Sequence, residues 1–432
     1  MNLAQRAYVL IVLTAVLAIA GIWSGESDLS WLWRIPAVLL LGGVAFEAFF
    51  VSRTSVEAGV EAAPRAFLGR PYSAVLTFAN SGLRPAVIQY VPLLPGGFEP
   101  VTGLRTVTVP PKAVGRDGVT LLPVRLGKQA WPAMPARVLG PLGFAWWTRE
   151  FHPESSVAIA PDTAQSARGR PRGNPTGARS RRTVGAGSEL HQLREYAPGD
   201  PLSRIDWKAT ARSRQLVTRE FSEDQHLDIL IAVDASRLSR VRAGRLDRLG
   251  LYANIVARFA EVATPNDDRV GMLVYSDRAL AVCPPDRGLS AVMHVRKALE
   301  TLSPDSAEPN VTAAAVRIRR MLRHRSLVVI LSDLDDPSIG DQLIRSVQLL
   351  APPHLVVVAG VHNAEIADLA RREARNWSDP WVSLAAQEHE ARVAARRVLL
   401  RRLGAPVVAE REELLEGAVL AEYEQLRRTR RV

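Results

Sequence analysis

Two acidic clusters carry the chemistry that this sequence offers. Asp234-Ala235-Ser236 follows the apolar run Leu227 to Val233, and Ser332-Asp333-Leu334-Asp335-Asp336 follows the apolar run Leu327 to Leu331. Carboxylates and hydroxyls are hard oxygen donors of the kind Mg2+ takes. In a doubly wound α/β sheet, loops at the carboxyl ends of neighbouring strands meet in one crevice. Asp234, Ser236 and Asp333 would therefore share one cation there. The competing assignment is local, with Asp234 and Ser236 capping a turn or helix. Other constellations are absent: there is no P-loop, no GxSxG elbow and no HExxH, and Gly185-Ala186-Gly187 lacks the third glycine of a dinucleotide fingerprint. The eight histidines are scattered, and the single Cys283 excludes an intramolecular disulfide, a Cys-based zinc knuckle and a CxxC redox pair.

These acids need a sheet to hold them. Leu227 to Val233, Val270 to Tyr275, Leu327 to Leu331 and Leu355 to Val361 are nearly continuous apolar runs, as strands buried on both faces are. Leu246, Leu249, Ala253, Val256, Phe259 and Ala263 recur at steps of three and four, one face of a helix. Ala291 to Leu302, Ala313 to Leu322 and Gln342 to Leu350 read as further helices. Residues 226–409 are thus expected to form a doubly wound α/β domain. Residues 410–432 read as a charged C-terminal helix and tail.

The first 54 residues have another character. Ala7 to Trp23 carries no charge, and Ile35 to Val51 carries only Glu47. Each reaches the ~17 residues that span a bilayer core. Trp23, Trp31 and Trp33 flank an acidic gap, and Arg6, Arg53, Arg65 and Arg70 lie at the outer ends. Residues 1–54 are therefore expected to be a transmembrane hairpin with both ends cytoplasmic, with Arg34 snorkelling. Arg6, an apolar stretch and Ala18-Ile19-Ala20 also suit a cleaved signal peptide; the second span would then act as a stop-transfer segment. Residues 55–162 alternate short strand patterns with turn signals, the latter including Gly115-Arg116-Asp117-Gly118, and are expected to form a small β-sandwich.

Residues 163–187 form a basic linker with Arg168, Arg170, Arg172, Arg179, Arg181 and Arg182 and no acid. These arginines suit anionic lipid or a solvated tether. With Arg427, Arg428, Arg430 and Arg431 they account for nearly all of the net charge of +11. No aromatic residue interleaves the linker arginines, which argues against base stacking with nucleic acid.

Residues 188–225 are the most distinctive stretch. Acids and arginines interleave around Tyr196 and Trp207: Glu189, Arg194, Asp200, Arg204, Asp206 and Arg212. Arginine pairs bidentately with carboxylates and stacks on rings, so these residues suit an ion-pair clamp onto the α/β sheet or a partner-docking surface. The pattern also contains Leu193, Gly199, Ile205, Lys208, Ala209 and Leu216. It resembles the signature of the bacterial "domain of unknown function 58" family. The strand-end acids resemble the metal-ion-dependent adhesion site of von Willebrand factor A domains: Asp234 and Ser236 match its first two positions and Asp333 the last. The third falls on Leu238, with Ser239 one residue late, and Thr312 is the nearest threonine by order.

The resemblance implies a multidomain protein of the bacterial inner membrane: a transmembrane hairpin, a β-sandwich and a cytoplasmic von Willebrand factor A-like domain. It also implies a non-enzymatic adaptor or scaffold that partners a MoxR-type AAA+ ATPase, with Mg2+ as the cofactor of the adhesion-type site. The alternatives are a metal-dependent hydrolase using the same acids, and nucleic-acid or anionic-lipid binding through the linker.

Overall fold

The structure, a computed structural model, describes residues 2–24, 31–52, 56–162, 183–185, 189–223 and 227–429. It divides into two units, residues 1–162 with 299–303, and residues 163–298 with 304–432.

The first unit opens with helices α1 (Gln5–Ser24) and α2 (Arg34–Ser52). Both are long and apolar enough to cross a membrane, with mean hydropathy 2.0 and 1.8 over Gln5–Trp23 and Arg34–Val51. The guanidinium of Arg34 lies 3.6 Å from the Trp31 ring centroid. A cation on an aromatic face is how an arginine is held at the edge of an apolar span.

The β-rich region holds three sheets. One runs in the order Asn2–Leu3, Ala145–Phe151, Met134–Leu139, Ala86–Tyr90 and Arg105–Val109. A second pairs Val56–Ala62, Tyr72–Asn80 and Ala113–Leu121, and a third pairs Arg65–Phe67, Ser156–Ala160 and Gly127–Ala130. Phe78 of the second sheet meets Tyr90 and Phe151 of the first, with ring centroids 4.9 and 6.0 Å apart. Gly115 to Gly118, a turn signal in the sequence, lies inside a strand that pairs with Tyr72–Asn80 along its whole length. A Cβ on Gly115 would come within 2.7 Å of Val109 Cγ2, so close packing rather than a turn demands that glycine.

The turn from Gly140 to Ala145 receives both apolar helices. Glu47 of α2 is buried and accepts the backbone N–H groups of Leu142 (2.9 Å), Phe144 (3.0 Å) and Ala145 (2.8 Å). Arg6 of α1 donates to the Leu142 carbonyl at 3.1 Å. A Cβ on Gly140 would stand 2.2 Å from the Glu47 carboxyl carbon, so only glycine lets the carboxylate in.

The second unit is built on a six-stranded sheet. Its strands are β1 (Asp228–Asp234), β2 (Arg269–Tyr275), β3 (Ala279–Asp286), β4 (Leu327–Leu331), β5 (Leu355–Val361) and β6 (Val407–Glu410), in the order β3-β2-β1-β4-β5-β6. All pairings are parallel except that of β3 with β2. The four strands expected from apolar runs are β1, β2, β4 and β5. The two outer strands lack such runs. β3 contains Pro284 and Pro285, which sheets tolerate at an edge, and it pairs with register shifts.

A small antiparallel sheet of Thr183–Gly185, Val217–Glu223 and Glu189–Glu195 carries the signature, with the short helix α3 (Trp207–Ser213) beside it. Residues 183–185, expected to belong to the basic linker, are thus a strand. Helix α4 (Arg248–Ala263) is buried on nearly every side. It is followed by α5 (Gly288–Glu300), α6 (Val311–Met321), α7 (Pro337–Leu350), α8 (Ala364–Arg371), α9 (Asp379–Arg402) and α10 (Glu412–Arg428).

Helix α10 is no detached charged tail. Its Leu415, Val419, Tyr423 and Leu426 are buried at steps of four, four and three, and Tyr423 packs on Phe259 of α4 with ring centroids 4.8 Å apart. The Tyr423 hydroxyl donates to buried Asp268, which also pairs with Arg427 at 3.4 Å. One of the terminal arginines is therefore part of the folded domain. The charge pattern of α10 hid a four-residue apolar seam.

Candidate functional site

Parallel pairing of Val233 with Leu331 sets Asp234 level with Ser332. The sequence-predicted acids therefore meet at the switch point between β1 and β4, where chain connections leave in opposite directions. Asp234 is buried and accepts the Ser236 N–H at 2.9 Å and the Ser332 hydroxyl at 3.2 Å. Ser236 is buried and caps the 3-10 turn Arg237–Arg240, its hydroxyl accepting the Leu238 N–H at 3.3 Å. Asp333 accepts the Asp335 N–H at 2.9 Å, and its other oxygen pairs with the guanidinium of Arg248. The local capping assignment thus holds for Asp234 and Ser236, while the crevice also brings Asp333 alongside.

Arg248 carried no signal as a site residue. It is the first residue of α4, next to the apolar stripe, and follows Asp247, whose carboxylate caps the helix through Gly250 N–H at 2.8 Å. Its side chain is only 7% exposed and that of Asp333 9%. Burial works against the charge of Arg248, but the carboxylate of Asp333 overrides it and holds the guanidinium above its ordinary range. Burial pushes Asp234 up, as it does Asp335, where the charge of Asp333 adds to it. Tyr252, fully buried one helical turn beyond Arg248, donates to the Ser332 carbonyl at 3.0 Å.

Thr312 is half-buried in the first turn of α6. The acid of that connection placed against the crevice loop is Asp305. Its N–H donates to the Ala235 carbonyl at 2.7 Å, and its carboxylate accepts the Ser276 hydroxyl at 2.9 Å. The remaining acid of the cluster, Asp336, caps α7 through the Ser338 N–H at 2.7 Å.

This donor set does not suit Mg2+, which takes near-octahedral oxygens and keeps several waters. Each oxygen of Asp234 and Asp333, and the hydroxyl of Ser236, already faces a protein N–H or O–H donor. The third adhesion position is the buried, apolar Leu238. Among the described residues, no three His, Cys, Asp or Glu side chains are grouped to hold a metal ion.

The signature segment sorts into two sets. Arg194 pairs with Asp200 at 2.7 Å and also with Glu220, and Asp206 pairs with Arg219 at 3.0 Å. Asp206 further caps α3 by accepting Lys208 and Ala209 N–H at 3.0 and 2.9 Å. These bonds hold Asp200 and Asp206 below the usual carboxyl range: chiefly the Arg194 hydrogen bond for Asp200, and the Ala209 N–H for Asp206. All of these pairs join residues 194–220 to one another, so the clamp closes the segment on itself. Tyr196 is half-buried, with its N–H on the Leu216 carbonyl at 2.8 Å, and Arg204 faces Asp200.

The second set points outward. Trp207 is 67% exposed and Leu202 69%, and Arg212 is exposed on the same short helix as Trp207. Glu189 opens a strand opposite Ser222, and its side chain lies outside the description. The lipid-contact candidates Arg168, Arg170, Arg172, Arg179, Arg181 and Arg182 lie outside the described residues.

The second unit is therefore a doubly wound α/β domain with acids at its switch point, carrying a small sheet that displays an Arg–Asp–Trp signature. Residues 192–392 match the family model described as "Protein of unknown function DUF58". The chain is similar to uncharacterized proteins of Mycobacterium tuberculosis and Mycobacterium bovis, at 26% identity over 244 residues, covering 53% of this chain and 76% of theirs. Among solved structures it is similar to an aerotolerance-related membrane protein from Bacteroides fragilis, at 20% identity over 31% of this chain and 67% of that chain, with a TM-score of 0.26. It is also similar to the VWA domain of Rpn10, at 11% identity over 46% of this chain and 95% of that chain, with a TM-score of 0.29.

Proposed function

We propose that the protein is a membrane-tethered, non-enzymatic interaction module whose signature segment docks a protein partner. The observation that carries this reading is the division of labour among residues 194–220. Ion pairs consume Arg194, Asp200, Asp206, Arg219 and Glu220 within the segment, while Trp207 and Leu202 are left facing solvent. Trp is enriched among the few residues that dominate binding energy at interfaces. A capped, ion-paired helix presents such an anchor with little conformational entropy left to lose.

The partner implied by the family resemblance is a MoxR-type AAA+ ATPase. The tether is the α1–α2 pair read as a transmembrane hairpin, with the β-rich region and the α/β domain on the cytoplasmic side of a bacterial inner membrane. Support for the hairpin comes from Arg6 and Glu47, which reach the same Gly140–Ala145 turn from the two outer helix ends.

The test is affinity capture of the full chain from native membranes, comparing wild type with Trp207→Ala. The expected result is a co-purifying ATPase with wild type and its loss with Trp207→Ala at an unchanged melting temperature. Recovery of the same proteins in equal amount with both chains overturns the reading.

A further inference from the structure

We propose that Arg248 is the resident cation of the switch-point crevice, standing where an adhesion-type site would hold a divalent metal. The inference concerns the crevice alone and is independent of the docking role assigned to Trp207.

The position of Arg248 makes its burial costly. It is the first residue of α4, and the positive end of a helix dipole disfavours a cation there. Desolvation adds to that cost, because the side chain is almost wholly withdrawn from water. The carboxylate of Asp333, with Tyr252 and Asp335 nearby, offsets these costs. The same cation removes the reason for a metal. Two buried strand-end carboxylates repel one another, and the guanidinium neutralises one of them, Asp333, without needing an octahedral shell. The ligand oxygens are correspondingly spent on protein donors: Ser236 N–H and Ser332 hydroxyl on Asp234, Leu238 N–H on Ser236, and Asp335 N–H and Arg248 on Asp333. Leu238 closes the position from which a further hydroxyl would reach in.

The experiment is a titration of the full chain in nanodiscs with Mn2+, read by the free-ion electron paramagnetic resonance signal, together with melting curves in Mg2+ and in chelator. Wild type is expected to bind no stoichiometric Mn2+ and to melt identically in both conditions. Arg248→Gln is expected either to take up a single Mn2+ that Asp234→Asn abolishes, or to melt lower in chelator and recover in Mg2+. Arg248→Lys, which keeps the charge, is expected to take up none. A wild-type Mn2+ site lost in Asp234→Asn overturns the proposal. So does an Arg248→Gln chain that melts as wild type does and gains no Mn2+. If Arg248→Gln fails to fold, the wild-type titration and Arg248→Lys decide the matter on their own.

Discussion

Replacing Glu47 by glutamine tests how the apolar helices are joined to the β-rich region. The carboxylate takes Leu142 and Phe144 N–H on one oxygen and Ala145 N–H on the other, at 2.8–3.0 Å and without solvent exposure. An amide retains one acceptor oxygen and sets an NH2 group against the remaining N–H. That leaves one buried donor unpaired and removes the charge assistance from the other two bonds, a combined cost of about 2–4 kcal/mol. At about 1.4 kcal/mol per factor of ten, local opening of the turn becomes roughly 30- to 700-fold more frequent. Hydrogen exchange of the full chain in nanodiscs reads this directly in a peptide spanning residues 140–145. Exchange there should accelerate in Glu47→Gln while the strand Tyr72–Asn80 stays protected. Gly140→Ala should produce the same signature from the other side, because its Cβ occupies the carboxylate position. Equal protection of residues 140–145 in wild type and Glu47→Gln would refute the reasoning, since no buried acceptor would then be holding the turn.

Tyr423→Ala should lower the urea stability of the second unit by about 3–5 kcal/mol, as loss of a buried aromatic side chain does, whereas Tyr423→Phe should cost only about 1–3 kcal/mol for the lost hydrogen bond to Asp268, which keeps Leu227 N–H and Arg427. Equal losses in the two variants would show that the Phe259 contact contributes nothing. Asp206 has a lowered folded pKa, so its contribution is present above the unfolded carboxyl range near about pH 4 and fades as pH falls below it. Exchange of the Ala209 amide, corrected for intrinsic chemistry, should therefore rise below about pH 4 in wild type and be pH-independent in Asp206→Asn; a flat wild-type profile would contradict the cap.

Much of the architecture is legible in the chain because it rests on local periodicity. The two apolar helices were readable from runs nearly free of charge, and β1, β2, β4 and β5 from apolar runs typical of strands buried on both faces. The signature residues were recognisable as a set, although their pairing scheme was not. Outer strands β3 and β6 escaped notice because edge strands need no continuous apolar run. The Gly115–Gly118 strand was misread because glycine marks both turns and close sheet contacts, and only the neighbouring Val109 distinguishes them.

The sequence by itself determined that two acidic loops end neighbouring parallel strands, and hence that Asp234 and Asp333 would meet. It also determined that two apolar helices precede a β-rich region. Tertiary structure alone decided what each acid faces. Asp333 meets Arg248, 85 positions earlier in the chain, and Glu47 meets a turn about a hundred residues later. Periodicity encodes which face of an element is buried, because burial is a property of one helix or strand. The counter-ion of a buried charge is a property of two elements, and it is settled only when packing brings them together.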